Sequence, residues 1–98
     1  MMIKRIVKLT FREECVNDFL EVFETNRQLI RHANGCQSLE LLRGIEPNNV
    51  FFTYSFWESE EHLNAYRNSK LFRETWKKTK KLFADRPQAW SVDSVVKL

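Results

Sequence analysis

From Ile3 to Arg12 the chain alternates, with Ile3, Arg5, Val7, Leu9 and Phe11 on one side and Lys4, Ile6, Lys8 and Thr10 on the other. That period of two predicts a strand with one mostly apolar face. Over residues 13–33 the period lengthens. Val16, Phe19, Leu20, Phe23 and Ile30 fall on one helical stripe, with the stem of Arg27 able to lie along it. Asn34-Gly35 predicts the end of that helix, because glycine enters the left-handed region without steric cost. Alternation resumes from about Cys36 to Ile45, with Leu39, Leu41, Arg43 and Ile45 on one face. Glu46-Pro47-Asn48-Asn49 has turn composition and joins this strand to the next, Val50 to Trp57, as a hairpin. Ser59 is placed to cap a helix whose first turn carries Glu60 and Glu61, where the helix dipole favours acids. Asn68-Ser69 interrupts that helix, and Ser69 can cap a second piece that carries Phe72, Trp76 and Phe83 on one stripe and stops at Arg86-Pro87. A last alternating stretch, about Gln88 to Leu98, puts Trp90, Val92, Val96 and Leu98 on one side. The order βαββαβ predicts an α+β fold of the ferredoxin-like kind, with an antiparallel sheet, helices on one face and the second helix broken in two.

The third strand does not fit a sheet with one wet face. Phe51 and Trp57, with small Thr53 and Ser55 between them, lie on one side, and Val50, Phe52, Tyr54 and Phe56 on the other. A half-exposed strand has a polar face, and rings left in water make a large apolar patch. A second copy of the sheet packed face to face removes the conflict, so the pattern predicts a homodimer through the sheet.

Composition narrows the class. At 98 residues a single domain, residues 1–98, is expected, and the chain is long enough to bury only roughly 60–65% of its unfolded surface. The eight phenylalanines therefore carry much of the core, each worth about 1.5–3 kcal/mol when fully buried. The 30% charged content marks a folded, water-facing chain, and no apolar run approaches the ~20 residues of a bilayer span. MMIKRIVKLTF interleaves charge with apolar residues and lacks the apolar core of a secretory signal, which points to the cytoplasm. The basic run Lys77 to Lys81 falls with Arg73 opposite the apolar stripe, as a solvated helix face does, and no nucleic-acid motif accompanies it. Cys15 and Cys36 have no partner Cys or His at ligand spacing, so free thiols and no metal site are expected. Two glycines rule out a glycine-rich phosphate loop, and no Ser or Cys stands in a nucleophile motif.

Candidate chemistry gathers between Phe51 and Trp76, where Trp57, His62, Tyr66, Phe72 and Trp76 share one strand-helix-helix unit. Polar-tipped aromatics so close together serve as core or as the wall of a pocket for a flat ligand. Strand three ending in Trp57, then Glu58-Ser59, a helix to Tyr66, Ser69 and Phe72, together with Asn34-Gly35-Cys36 leading into SLELLR, resembles the antibiotic-biosynthesis-monooxygenase family over nearly the whole chain. The resemblance implies a dimeric α/β barrel with a cavity between sheet and helices in each subunit. It also implies activities ranging from oxygen-dependent oxidation of phenols or quinols without a cofactor to haem degradation. The haem-degrading branch places its iron-binding His where this chain has Trp76, and an Asn near Val7. An indole nitrogen is a donor only, so Trp76 cannot ligate iron, and haem chemistry is not expected.

The function expected is therefore a cofactor-independent monooxygenase or oxidoreductase acting on a small aromatic, phenol- or quinol-like metabolite. The alternative is a non-catalytic small-molecule-binding or structural dimer of the same fold. In the first reading Tyr66 hydrogen-bonds a substrate oxygen and His62, with an ordinary pKa near 6.5, takes the proton. Trp57 and Trp76 stack on the ring, and Arg5 or Arg43 stabilises a phenolate.

Overall fold

A computed structural model describes residues 2–98. The elements are β1 (Ile3–Thr10), a short 3-10 turn (Glu13–Cys15), α1 (Val16–Arg31), β2 (Cys36–Arg43), β3 (Val50–Trp57), α2 (Glu60–Arg67), α3 (Lys70–Lys80) and β4 (Gln88–Val92). The four strands form one antiparallel sheet in the order β2-β3-β1-β4, the ferredoxin-like plan. β1 and β3 are central and pair without a slip from Ile3 opposite Trp57 to Thr10 opposite Val50. A bulge between Cys36 and Ser38 lets β2 join them.

Local chemistry sets the boundaries. Gly35 sits at φ +85, and a side-chain carbon there would collide with His62, so the turn from α1 into β2 needs glycine twice over. The Gly35 carbonyl also accepts from the Glu58 N–H at 2.8 Å, tying this turn to the end of β3. Ser59 and Ser69 cap α2 and α3, accepting from the N–H groups of His62 and Phe72 at 3.2 and 3.1 Å. The Ser69 hydroxyl in turn donates to the Tyr66 carbonyl at 2.6 Å and locks the break between the two helices.

Three expected boundaries move. β2 stops at Arg43, because the Gly44 N–H turns back to the Val50 carbonyl at 2.7 Å; Ile45 then lies outside the strand and is 98% exposed. α3 stops at Lys80 rather than near Arg86. Its end is diverted toward β1, with Arg12 N–H donating to the Leu82 carbonyl and Ala84 N–H to the Thr10 carbonyl. β4 covers only Gln88–Val92, and residues 93–98 run on without regular structure, leaving Val95, Val96 and Leu98 exposed.

The helices lie on one face of the sheet. Leu9, Phe11, Val16, Phe19 and Phe51 form the main core, and Cys36, Trp57 and Leu63 form a second cluster at the other end. The outer face carries Ile6 between Tyr54 and Trp90, with Phe52, Phe56, Leu42 and Val92 nearby and Lys4 laid over the Phe56 ring at 4.8 Å. No described element covers that face, and Trp90 keeps 45% of its surface open.

Candidate functional site

A cavity of about 300 Å³ lies between the inner face of the sheet and α1, α2 and α3. Its existence follows from β3: Thr53 and Ser55 are too small to fill the space that Phe51 and Trp57 fill at either end of the strand. Trp57 is 1% exposed and its indole N–H donates to the Ser55 hydroxyl at 2.9 Å. This bond satisfies the one polar atom of a buried indole and fixes the ring as a wall.

From Trp57 the wall continues ring by ring. Tyr66 stacks on Trp57 with centroids 4.9 Å apart, Phe72 meets Tyr66 edge-on at 5.3 Å, and Trp76 stacks on Phe72 at 5.7 Å. All four rings border the cavity. Among the described residues the Tyr66 hydroxyl has no hydrogen-bond partner, while no fully buried side-chain polar atom is left unsatisfied. Burial pushes the Tyr66 phenol above its ordinary value of 10.0, and the neighbouring Cys36 adds to the rise. Tyr66 is therefore a neutral donor at physiological pH, with its hydroxyl free to bond a ligand.

Arg5 also borders the cavity, with Nη1 donating to the Ser91 hydroxyl at 3.0 Å. Arg67, which the sequence reading passed over, stands beside it on the rim. No carboxylate and no imidazole lines the space.

Tyr66, Trp57, Trp76 and Arg5 are thus brought together, and two expected residues are not. His62 points back along its own helix start. Its Nδ1 is 2.7 Å from the Ser59 hydroxyl and its side chain fills the space above Gly35, so it does not border the cavity. Arg43 lies on the inner face as the alternation requires, but at the far end of the sheet. There its guanidinium covers the Phe51 ring at 5.1 Å and Nε donates to the Asn48 carbonyl at 2.7 Å. The described residues hold no cluster of three metal-ligating side chains, both cysteines are buried free thiols, and no helix is long and apolar enough to cross a membrane.

A family model described as antibiotic biosynthesis monooxygenase matches residues 2–78. The chain belongs to that family. The match runs through Trp57, Tyr66, Phe72 and Trp76, so the whole aromatic wall lies in the family domain. Among solved structures, a Bordetella bronchiseptica protein proposed by name to be an antibiotic biosynthesis monooxygenase superposes with a TM-score of 0.86 at 27% identity, covering 97% of this chain and 98% of that one. A conserved Methanosarcina mazei protein reaches a TM-score of 0.89 over 94% of this chain and 91% of that one; at 15% identity it shows the shared fold alone. A Haloarcula marismortui protein whose name proposes haem binding is 32% identical over 79 residues, 81% of this chain. The chain spans only 12% of that protein's length and 13% of a similarly named Natronomonas pharaonis relative, 32% identical over 82 residues.

Proposed function

We propose that this family member binds a single-ring aromatic of phenol or quinol type in its cavity and oxidises it with molecular oxygen. One observation carries the reading: the cavity is walled by Trp57, Tyr66, Phe72 and Trp76, and burial holds the Tyr66 phenol in its protonated, donating form. A cavity of about 300 Å³ lies at the small end of ligand pockets and suits one ring with short substituents.

In that reaction a quinol loses two protons and two electrons, and dioxygen takes up both as hydrogen peroxide. The chain's residues orient and polarise. Tyr66 donates to a ring oxygen, the aromatic wall holds the ring and excludes water, and the Arg5 charge favours the phenolate that gives up electrons most readily. The described residues of the wall include no base, so the protons pass from the quinol to the reduced oxygen by way of solvent at the rim.

The names of the halophile relatives raise haem. Protein axial ligands to haem are His, Cys, Met or Tyr; among the described residues Tyr66 is the one of these types on the wall, and burial keeps it a neutral phenol rather than the phenolate that binds iron. His62 is held by Ser59, and His32 is bonded to the Gln28 carbonyl at the end of α1. The cavity residues do not fit haem, and no step is drawn through it.

Oxygen uptake with a panel of substituted hydroquinones tests the proposal, the expected result being uptake that falls at least tenfold in Tyr66→Phe. Calorimetric binding of the same compounds with no oxygen consumed would replace it with the non-catalytic binder, a reading that the lack of a base in the wall favours. The apolar outer face supports a homodimer through the sheet. A dimer is expected by sedimentation at micromolar concentration, converted to monomer by Tyr54→Glu. A monomeric wild-type chain would contradict it.

A further inference from the structure

Among the described residues neither Arg5 nor Arg67 forms an ion pair with an acid. Both border the cavity, Arg5 half-buried on β1 and Arg67 exposed in the last turn of α2, so together they mark where the cavity meets solvent. The ion pairs among the described residues are Arg27 with Glu24 and Lys70 with Glu74; neither involves these arginines, and the cavity wall contains no Asp or Glu. Both guanidinium groups border one cavity, where burial lowers the Arg5 pKa and the Arg67 charge lowers it further. Arginine stays charged under such conditions. Two like charges held together, one of them partly desolvated, form a site whose energy falls when an anion arrives. Among the described residues one donor of the Arg5 guanidinium is used, at Ser91, which leaves the rest of its fork for a ligand.

We infer that Arg5 and Arg67 form an anion clamp at the cavity rim, and that the ligand is a single-ring aromatic carboxylate whose ring lies against the Trp57–Tyr66–Trp76 wall. The inference rests on the reading of the cavity as an aromatic-ring site and adds the charged group the ring must carry. Carboxylate is the oxyanion that fits best, because the volume leaves little room beyond the ring and two forked guanidinium groups match a planar carboxylate.

The test is calorimetric titration of the whole protein with benzoate, benzamide and acetate at low salt. Benzoate is expected to bind at least tenfold tighter than benzamide or acetate, and only benzoate binding should weaken as salt rises. Arg67→Gln removes an exposed side chain, so it is expected to fold as wild type, to lose about tenfold in benzoate affinity and to leave benzamide unchanged; Arg5→Gln is the companion variant. Equal affinity for benzoate and benzamide overturns the clamp and leaves the ring site standing. Equal affinity for benzoate and acetate overturns the claim that the anion carries a ring. Binding of none of the three overturns both the clamp and the cavity reading.

Discussion

The two ends of the inner sheet face are built from the same kind of residue and reach opposite results. At one end Phe11, Phe19, Phe51 and Phe83 close on one another, with Phe11 and Phe19 stacked at 4.2 Å and Phe11 and Phe83 at 5.3 Å. At the other end Trp57, Tyr66 and Trp76 surround a space they do not fill. Phenylalanine has no polar atom to satisfy, so it can be enclosed on every side. Indole and phenol need a partner, and Trp57 finds one in Ser55, while the half-buried Tyr66 borders the cavity. The polar tips, together with small Thr53 and Ser55, separate a core from a binding site here.

Mutations at the two ends should therefore behave differently. The largest effect belongs to the closed end: Phe11→Ala is expected to cost about 3–5 kcal/mol in urea unfolding, since Phe11 is wholly buried among rings that cannot collapse into its space. Ser55→Ala comes next. It strands the buried Trp57 N–H at a cost of about 1–3 kcal/mol, and adding Trp57→Phe should return part of that loss.

Added volume separates the ends more sharply. Val16→Phe overfills the closed end and should cost about 1–3 kcal/mol. Thr75→Leu projects into the cavity and should change stability by less than about 1 kcal/mol while abolishing ligand binding. Equal costs at the two sites would mean that the cavity is no more tolerant than the core.

The smallest effect is alkaline. Tyr66 and Cys36 both have raised pKa values in the fold, above ordinary values of 10.0 and 9.0, so each contributes stability that is complete below its ordinary value and is lost as pH rises beyond it. Stability should be flat for these groups near neutrality and fall above pH 9–10. Tyr66→Phe should remove the upper part of that fall, as read by thermal melts across pH.

Much of this was legible in the chain, and the limits have physical causes. Alternation assigned the strand faces correctly, because a period of two needs only the sequence. It put Arg5 and Arg43 on the same inner face but carried no information about which end of the sheet is hollow, so it could not tell that Arg43 caps Phe51 while Arg5 meets the cavity. Caps Ser59 and Ser69 were readable because capping is local. The spacing does not show where His62 goes, because the missing Cβ of Gly35, 27 positions earlier, makes the hole that His62 fills. Arg67 left no signal, since a cation in a last helical turn is ordinary until a second cation from β1 is seen beside it.

The interruption at Asn68-Ser69 also has a rotational meaning. In one unbroken helix, residues six apart point about 120° from each other, so Tyr66 and Phe72 could not both look into the same space. The Ser69 cap ends one screw and starts another at a new angle, and the two rings touch at 5.3 Å. One aromatic wall is thus assembled from two helices out of phase, and inserting a single residue at this joint should rotate half of the wall away from the ligand without disturbing the sheet.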